Sequence, residues 1–403
     1  MAKHKCSVCN EKFKDEYFDE KQNKCILHCE KDGEIHQAKE FLKEITKIVY
    51  SNENKYVELK NIVFPAVDTE NLNRFKKEKI IFKNCKFQGK ITCTDSSIKP
   101  TLEFEKCEFD SLILWEDLTI ENEISFKDSI FKDDFINNGC TFNKEVDLEG
   151  VIYESVADFS GTTFKEVVKQ KYTSYDGYAV FRDVIFEKPL NLRDTLFNQK
   201  VNLLNISKNE KNEIVDVENR ETARIIKDSF EKQNNIIEAN KFYALEMKER
   251  EKELKWGKDF FEKLIFTLHG ISSNHSQDWL LALFWILNIS FGIGIMKNNI
   301  ELFGVNFISF IPSIVIIIFG INIAILENFA RIFFTIVFTF LTYGLYGILS
   351  HDLNLYCISN TINPFSIMSG KEHLTFGGLI YKITIAYLIY QLIISIRQNT
   401  RRK

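Results

Sequence analysis

Every eleventh residue across the middle of the chain is apolar. Starting at Ile80, the series runs Ile91, Leu102, Ile113, Ile124, Phe135, Val146, Ala157, Val168, Ala179, Leu190 and Val201. A second series from Phe87 continues through Ile98, Phe109, Ile120, Phe131, Phe142, Tyr153, Phe164, Tyr175, Phe186 and Phe197. A third, from Phe82, is broken only by Asn137 and Gln170. A fourth, from Cys85, holds small or branched residues: Ser96, Cys107, Leu118, Ser129, Cys140, Val151, Thr162, Thr173, Val184 and Thr195. Several columns in one register demand a repeating architecture.

An eleven-residue period also fits a right-handed helical coiled coil. The spacing inside each unit argues against it. Positions 80 and 82 are two apart, which places them on one face of a strand. The residues between are Asp, Asn, Ser, Thr and Gly, as in Phe159-Ser-Gly-Thr-Thr-Phe164. Such residues favour turns and weaken helices. The pattern predicts faces of five or six residues, a small side chain pointing inward and a large one two positions later, joined by tight turns.

This arrangement resembles the pentapeptide-repeat family, whose members coil into a right-handed quadrilateral β-helix with stacked Phe or Leu inside. The alternating five-plus-six beat departs from the strict five-residue period. The resemblance covers about residues 80–206 and implies that repeat residues such as Phe87, Phe109 and Phe131 are core, so that function lies on the outer faces. Between Ile80 and Ile206 there are 15 basic and 22 acidic residues. Some family members use an acidic rod to mimic DNA; an ordinary solvated acidic surface is the expectation here. The whole chain carries a net charge of −4, so no nucleic-acid partner is expected.

Downstream, charge nearly vanishes. Residues 279–296, 302–326 and 332–350 contain no Asp, Glu, Lys or Arg, and 374–396 contain only Lys382. Each run is near the roughly 20 residues that a bilayer span needs, which predicts four transmembrane helices. Six Lys or Arg lie in residues 248–263 and four in the tail 397–403. The positive-inside rule then places both termini in the cytoplasm, in a multi-pass protein of a bacterial inner membrane. Trp279 and Trp285 are candidate interfacial anchors, and residues 256–268 a candidate inner-leaflet helix that inserts Phe260, Phe261, Leu264 and Phe266. Lys382 is expected to snorkel to the outer headgroups. Asn306, Asn322 and Gln391 are candidates for hydrogen bonds between spans.

The N-terminus carries Cys6-x2-Cys9, then Cys25-Ile-Leu-His28-Cys29. Two pairs of soft ligands at this distance suit a structural, tetrahedral Zn2+. Cys6 and Cys9 form one half. Cys25 joins either His28 or Cys29, and spacing does not choose. No apolar leader precedes these residues, and nine cysteines without an even framework read as reduced and cytosolic.

The expected fold is therefore multidomain: a right-handed β-solenoid plus a helical connector and a four-helix transmembrane domain. Residues 1–35 form the zinc module, 36–79 a helical N-terminal cap, 80–206 the β-helix, 207–270 a helical hairpin connector, and 271–403 the membrane domain. The cap helix is expected at 36–50, with Ala38, Phe41, Ile45 and Ile48 or Val49 on one side. The connector helices are expected at 220–230 and at 235–268. The sequence carries no phosphate loop, nucleophile elbow or metalloprotease helix, so no enzyme is expected. His269 and His275 lie close together before the first span, in what reads as an interfacial polar linker. The function expected is a membrane-tethered scaffold, with membrane lipid and an unidentified cytosolic protein as partners and scope for a homo-oligomer. The alternative is an ion channel or transporter with a cytosolic repeat domain. Thr342-Tyr-Gly-Leu-Tyr-Gly347 looks slightly like a carbonyl filter but falls inside an apolar run.

Overall fold

Strand partners in the middle of the chain lie 22 residues apart, so two eleven-residue units close one coil. Ile80 pairs with Leu102, Leu102 with Ile124, Ile124 with Val146 and Val146 with Val168, all parallel. The computed structural model describes residues 4–31, 35–51, 54–65, 67–68, 77–94, 96–305, 307–326, 328–364 and 375–400. Its contacts divide the chain into two units, Met1–Phe230 and Glu231–Lys403.

In the first unit, residues 56–202 form a β-solenoid of about six turns, walled by parallel sheets of seven, five, six and seven strands. Coil spacing stacks the rings. Phe64, Phe87, Phe109, Phe131, Tyr153, Tyr175 and Phe197 form one continuous ladder with centroids 4.6–5.0 Å apart. Phe82, Phe104 and Phe126 form a second, which meets the first edge-on. Each buried ring contributes roughly 1.5–3 kcal/mol of transfer free energy before ordering costs.

The corners explain the small-residue column from Cys85. Backbone φ is positive at 84, 106, 117, 128, 139, 150, 161, 172, 183, 194 and 205. Asn, Asp or Gly fills all of these except Lys106 and Tyr172, as the left-handed region favours. One residue later sits the small column, and most of its Ser, Thr and Cys side chains donate to a carbonyl in the preceding coil. Thr162 Oγ1 donates to the Asn137 carbonyl at 2.6 Å, Thr173 to Leu148 at 2.7 Å and Thr195 to Gln170 at 2.8 Å. Ser129 and Cys140 make the same bond to Phe104 and Trp115. The column is small because it must fit a corner, and often Ser, Thr or Cys because the corner carbonyl needs a donor.

The solenoid begins one coil before residue 80. Tyr56–Lys60 pairs with Lys79–Lys83, and Val57, Leu59, Ile62 and Phe64 are buried. This coil escaped the eleven-residue count because its register is offset by 23 residues. Stepping back from Ile80 lands on Thr69 and Glu58, and a one-residue shift turns inward positions outward. The expected helical cap therefore shrinks to α1 (Ile35–Ser51), whose Phe41, Ile45 and Val49 are buried; the side chain of Ala38 lies outside the described residues. Phe41 meets Phe64 edge-on at 5.4 Å, so α1 covers the open core of the first coil. At the other end α2 (Arg220–Lys232) closes the column: Leu192 N donates to Thr222 Oγ1 at 2.8 Å, and Ser229 Oγ donates to the Val201 carbonyl at 3.1 Å. Both lids shield sheet edges and ring faces that would otherwise meet water.

The second unit is helical: α3 (Ile236–Glu253), α4 (Phe260–Ser273), α5 (Trp279–Phe303), α6 (Phe307–Ile325), α7 (Asn328–Ser350), α8 (Tyr356–Ile362) and α9 (Phe376–Thr400). The helix expected over 235–268 is broken. It stops at Leu254, which is extended, and resumes at Phe260 after a turn through Gly257. Among the described residues, four helices are long and apolar enough to cross a membrane: Trp279–Leu302, Phe307–Ile325, Phe329–Ser350 and Phe376–Gln398, the pattern of a multi-pass membrane protein. Helix α5 is central and packs against α6, α7 and α9. Asp278 caps its first turn and pairs with Arg331 at 3.1 Å, tying the starts of α5 and α7 together.

Three expectations for this unit are corrected. Lys382 is buried, since it shares the face of α9 whose Tyr381, Ile385 and Leu388 pack inward. Trp285 is also buried, its Nε1 donating to the Ile271 carbonyl at 2.9 Å, whereas Trp279 is exposed. Asn322 bonds within its own helix, to the Ile318 carbonyl, while Asn306 lies outside the described residues. Asparagines that do link spans are Asn288, which donates to Thr339 Oγ1 and accepts from Thr342 Oγ1, and Asn298, which donates to the Leu349 carbonyl.

Candidate metal centre

Two small hairpins build the N-terminal site. His4–Lys5 pairs antiparallel with Lys12–Phe13, and the turn between them carries Cys6 and Cys9. Asn10, with φ of 62°, and the bond from its N–H to the Cys6 carbonyl make that turn tight. The second hairpin pairs Phe18–Asp19 with Lys24–Cys25 and runs into a turn in which the amides of His28 and Cys29 both donate to the Cys25 carbonyl. Ser7 N donates to the Asn23 carbonyl and joins the hairpins.

The turns bring Cys6, Cys9, Cys25 and His28 together, with all donor atoms within 4.8 Å of one another. Cys9 Sγ lies 4.0 Å from Cys25 Sγ, and His28 Nδ1 lies 3.6 Å from Cys6 Sγ and 3.0 Å from Cys25 Sγ. Bonds of about 2.3 Å to sulfur and 2.0 Å to nitrogen give tetrahedral edges of about 3.8 and 3.5 Å, so the four donors fit one small ion. Spacing left His28 and Cys29 as alternatives, and the geometry selects His28. Cys29 is buried outside the cluster, its Sγ 3.8 Å from the Ile26 carbonyl.

The surroundings favour the thiolate at Cys6. Val8 N and Cys25 N approach Cys6 Sγ at 3.4 and 3.3 Å. Burial pushes the Cys6 thiol up, but backbone N–H groups outweigh it and hold the group below its ordinary value. Burial raises Cys9 and Cys25. Burial lowers His28, and Lys31 adds to this, while a backbone hydrogen bond with Lys60 opposes both. That bond orients the ring, the usual companion of a metal-bound imidazole.

The module is also fused to the first coil. Val63 N donates to the Leu27 carbonyl at 2.8 Å. Lys31 is buried and was not singled out by any sequence pattern. Its Nζ donates to the carbonyls of Cys29 and Val63, at 2.9 and 2.6 Å, and sits 4.8 Å over the Phe41 ring. Burial holds its ammonium down at about 8. One lysine thus joins the metal turn, the first coil and α1.

A second polar cluster lies at the foot of the spans. The linker expectation brought together His269 and His275; the structure adds Glu251, Ser273, Ser276 and Gln391. His269 Nδ1 and His275 Nδ1 are 3.2 Å apart, and His269 Nε2 is 3.0 Å from Ser276 Oγ. Ser273 and Ser276 both donate to Gln391 Oε1, and Glu251 lies 3.7 Å from His275 Nε2. The network links α3, α4 and α9; Gln391 bonds to Ser273, at the end of α4, and to Ser276, both outside the four spans. The stretch from Thr342 to Gly347 lies inside α7, where helical bonds occupy its carbonyls.

Comparison with protein families, with curated proteins and with solved structures gives no match to this chain.

Proposed function

We propose that this chain is a membrane-tethered scaffold of the pentapeptide-repeat type, presenting a cytoplasmic solenoid to a protein partner. The observation that carries the reading is the joining of a lidded solenoid to four helices of membrane-crossing length in one chain. The solenoid's inward positions are consumed by its own core, and both of its ends are covered, which leaves the lateral faces for recognition. Those faces bear exposed ion pairs such as Lys79–Glu103 and Lys169–Glu145, which contribute little to stability and are free to exchange for a partner's charges. The basic residues at 248–263 support a cytoplasmic setting.

The N-terminal cluster holds a structural zinc ion in this reading. Cys6, Cys9, Cys25 and His28 supply four protein ligands, so no position is left for water or substrate. Metal analysis of the purified chain should give one zinc, lost on Cys25→Ser substitution. Crosslinking in native membranes followed by affinity capture of the full chain tests the scaffold: a protein reproducibly crosslinked to solenoid residues is expected. Capture of lipid and self alone, or unitary currents from the purified chain in planar bilayers, would overturn it.

A further inference from the structure

The turn that joins α4 to α5 is held under backbone strain. Asn274, His275 and Ser276 have φ of 47°, 54° and 65°, three left-handed residues in succession with no glycine among them. Asn accepts that region readily, whereas for His and Ser it costs about 1–2 kcal/mol each. Such a conformation persists only where its surroundings over-determine it. Side chains do the holding here. His275 and Ser276 are buried, and Ser276 Oγ bonds to Gln391 on α9. The His275 ring meets the His269 ring of α4 through their Nδ1 atoms, 3.2 Å apart.

The imidazole pair holds one proton between its Nδ1 atoms and no more. One nitrogen donates and the other accepts, and two N–H groups facing at that distance repel. The neighbours fix which is which. Ser276 Oγ donates to Gln391 Oε1, so at 3.0 Å from His269 Nε2 it accepts. His269 thus carries its proton on Nε2, its Nδ1 is the acceptor, and His275 Nδ1 is the donor. His275 Nε2 is then bare. It lies 3.7 Å from Glu251 Oε2, while Glu251 Oε1 accepts from Thr267. A first added proton goes to His275 Nε2 and finds that carboxylate. A second has only His269 Nδ1 left, the atom that closes the pair. The groups around the rings oppose this second charge. Lys248 approaches from α3 beside Glu251, and Lys263 of α4 donates to the Glu251 carbonyl. Asp278 at the start of α5 is committed to Arg331 of α7, and α9 contributes the uncharged amide of Gln391. Burial holds both rings below their ordinary value, His275 at about 4 with His269 and Lys248 adding to the effect.

We propose that the His269–His275 pair is an acid-released latch: with a proton on each ring the Nδ1–Nδ1 bond breaks, the left-handed turn relaxes, and α4 parts from α9. The latch is shut near neutral pH. It opens as pH falls below about 6.5, because the open turn takes up two protons that the shut one excludes. The test is hydrogen exchange read by mass spectrometry on the full chain in detergent, at pH 7 and pH 5, with each rate divided by the intrinsic rate at that pH. The reporters are the amides of Ser276, Gln277 and Asp278, which bond to Ser273 across the turn. Two protons taken up at an ordinary histidine value raise the open fraction about 500-fold between those pH values, and one proton about 25-fold. The wild-type turn should lose protection by about 500-fold, while amides in the middle of α5, such as Phe291, keep theirs. His275→Asn leaves a donor where Nδ1–H stands, suits the left-handed backbone and removes one titrating ring. His269→Gln leaves a donor toward Ser276 and removes the other. Whichever variant keeps the wild-type helical circular dichroism should show about 25-fold. A wild-type turn equally protected at both pH values, or a folded variant with the full wild-type response, would overturn the latch. So would protection lost as much along α5 as in the turn, since that is unfolding of the bundle and no latch.

Discussion

Removing the metal should unfasten the first coil of the solenoid while leaving the inner coils intact. The perturbation is chelation, or His28→Ala. The segment from Cys25 to Lys31 is held to the coil by three hydrogen bonds: Val63 N to Leu27, Lys31 Nζ to Val63, and Lys31 N to Gln88 Oε1. At about 1 kcal/mol net each, they contribute about 3 kcal/mol. Burial of Ile26 and Leu27 adds about 3–6 kcal/mol. Ordering seven residues costs about 7–14 kcal/mol in backbone entropy. The sum is a few kcal/mol short of stable, so the turn needs the metal to stay docked. Metal binding in small zinc modules contributes about 10–16 kcal/mol, ample to close that gap. Hydrogen exchange read by mass spectrometry is the assay. A local loss of about 3 kcal/mol speeds exchange of the Val63 amide about 100-fold. Amides of inner coils, such as Phe126 and Phe159, should exchange at the same rate with and without metal. Unchanged protection at Val63 in a chain shown to be metal-free would refute the reasoning.

The remaining predictions concern the core, the corners and the polar cluster. Asn137 is fully buried and neither atom of its amide has a hydrogen-bond partner, so Asn137→Leu should raise stability by about 1–3 kcal/mol, read as a higher thermal midpoint. Tyr172 holds a φ of 62° at an exposed corner; Tyr172→Gly should relieve about 1–2 kcal/mol of strain, less about 0.5–1 kcal/mol for glycine's entropy, and a lowered midpoint would count against the corner argument. His275 is held near 4 by burial, then by His269 and Lys248; Glu251 faces it across 3.7 Å. The folded pKa lies below the unfolded value, so stability present near neutral pH is lost as pH falls from about 6.5 to 4, on the order of 3 kcal/mol in all. Melting in detergent across that range should show the loss, and His275→Gln should flatten it.

Much of this architecture is legible in the sequence because a solenoid repeats one local solution. Columns that step by eleven are the inward positions, and Asn, Asp and Gly mark the corners between them. Legibility fails where the beat fails. The first coil is invisible to an eleven-residue count because one extra residue inverts its alternation, although Val57, Leu59, Ile62 and Phe64 keep the internal spacing of a unit. The choice of His28 over Cys29 depends on the hand of one turn, which spacing does not encode. Lys31 looks like any residue in a charged stretch, and only the meeting of Cys29, Val63 and Phe41 gives it a task. Lys382 was misjudged because hydropathy reports that a helix is apolar without saying which face turns to its neighbours.

The corner bonds set a rule for how the rod can change length. Corner donors of the 22-residue coils reach a carbonyl 25 residues earlier, as Thr162 does to Asn137 and Thr195 does to Gln170, while Cys85, beside the longer first coil, reaches Leu59, 26 residues earlier. Duplicating or excising whole coils preserves every such bond while moving the two lids apart or together by about 4.8 Å per coil. An insertion of another length changes which carbonyl a corner donor meets, as the extra residue of the first coil does for Cys85. The distance between the α1 lid and the α2 lid is therefore quantised, a ruler whose graduations are the coils themselves.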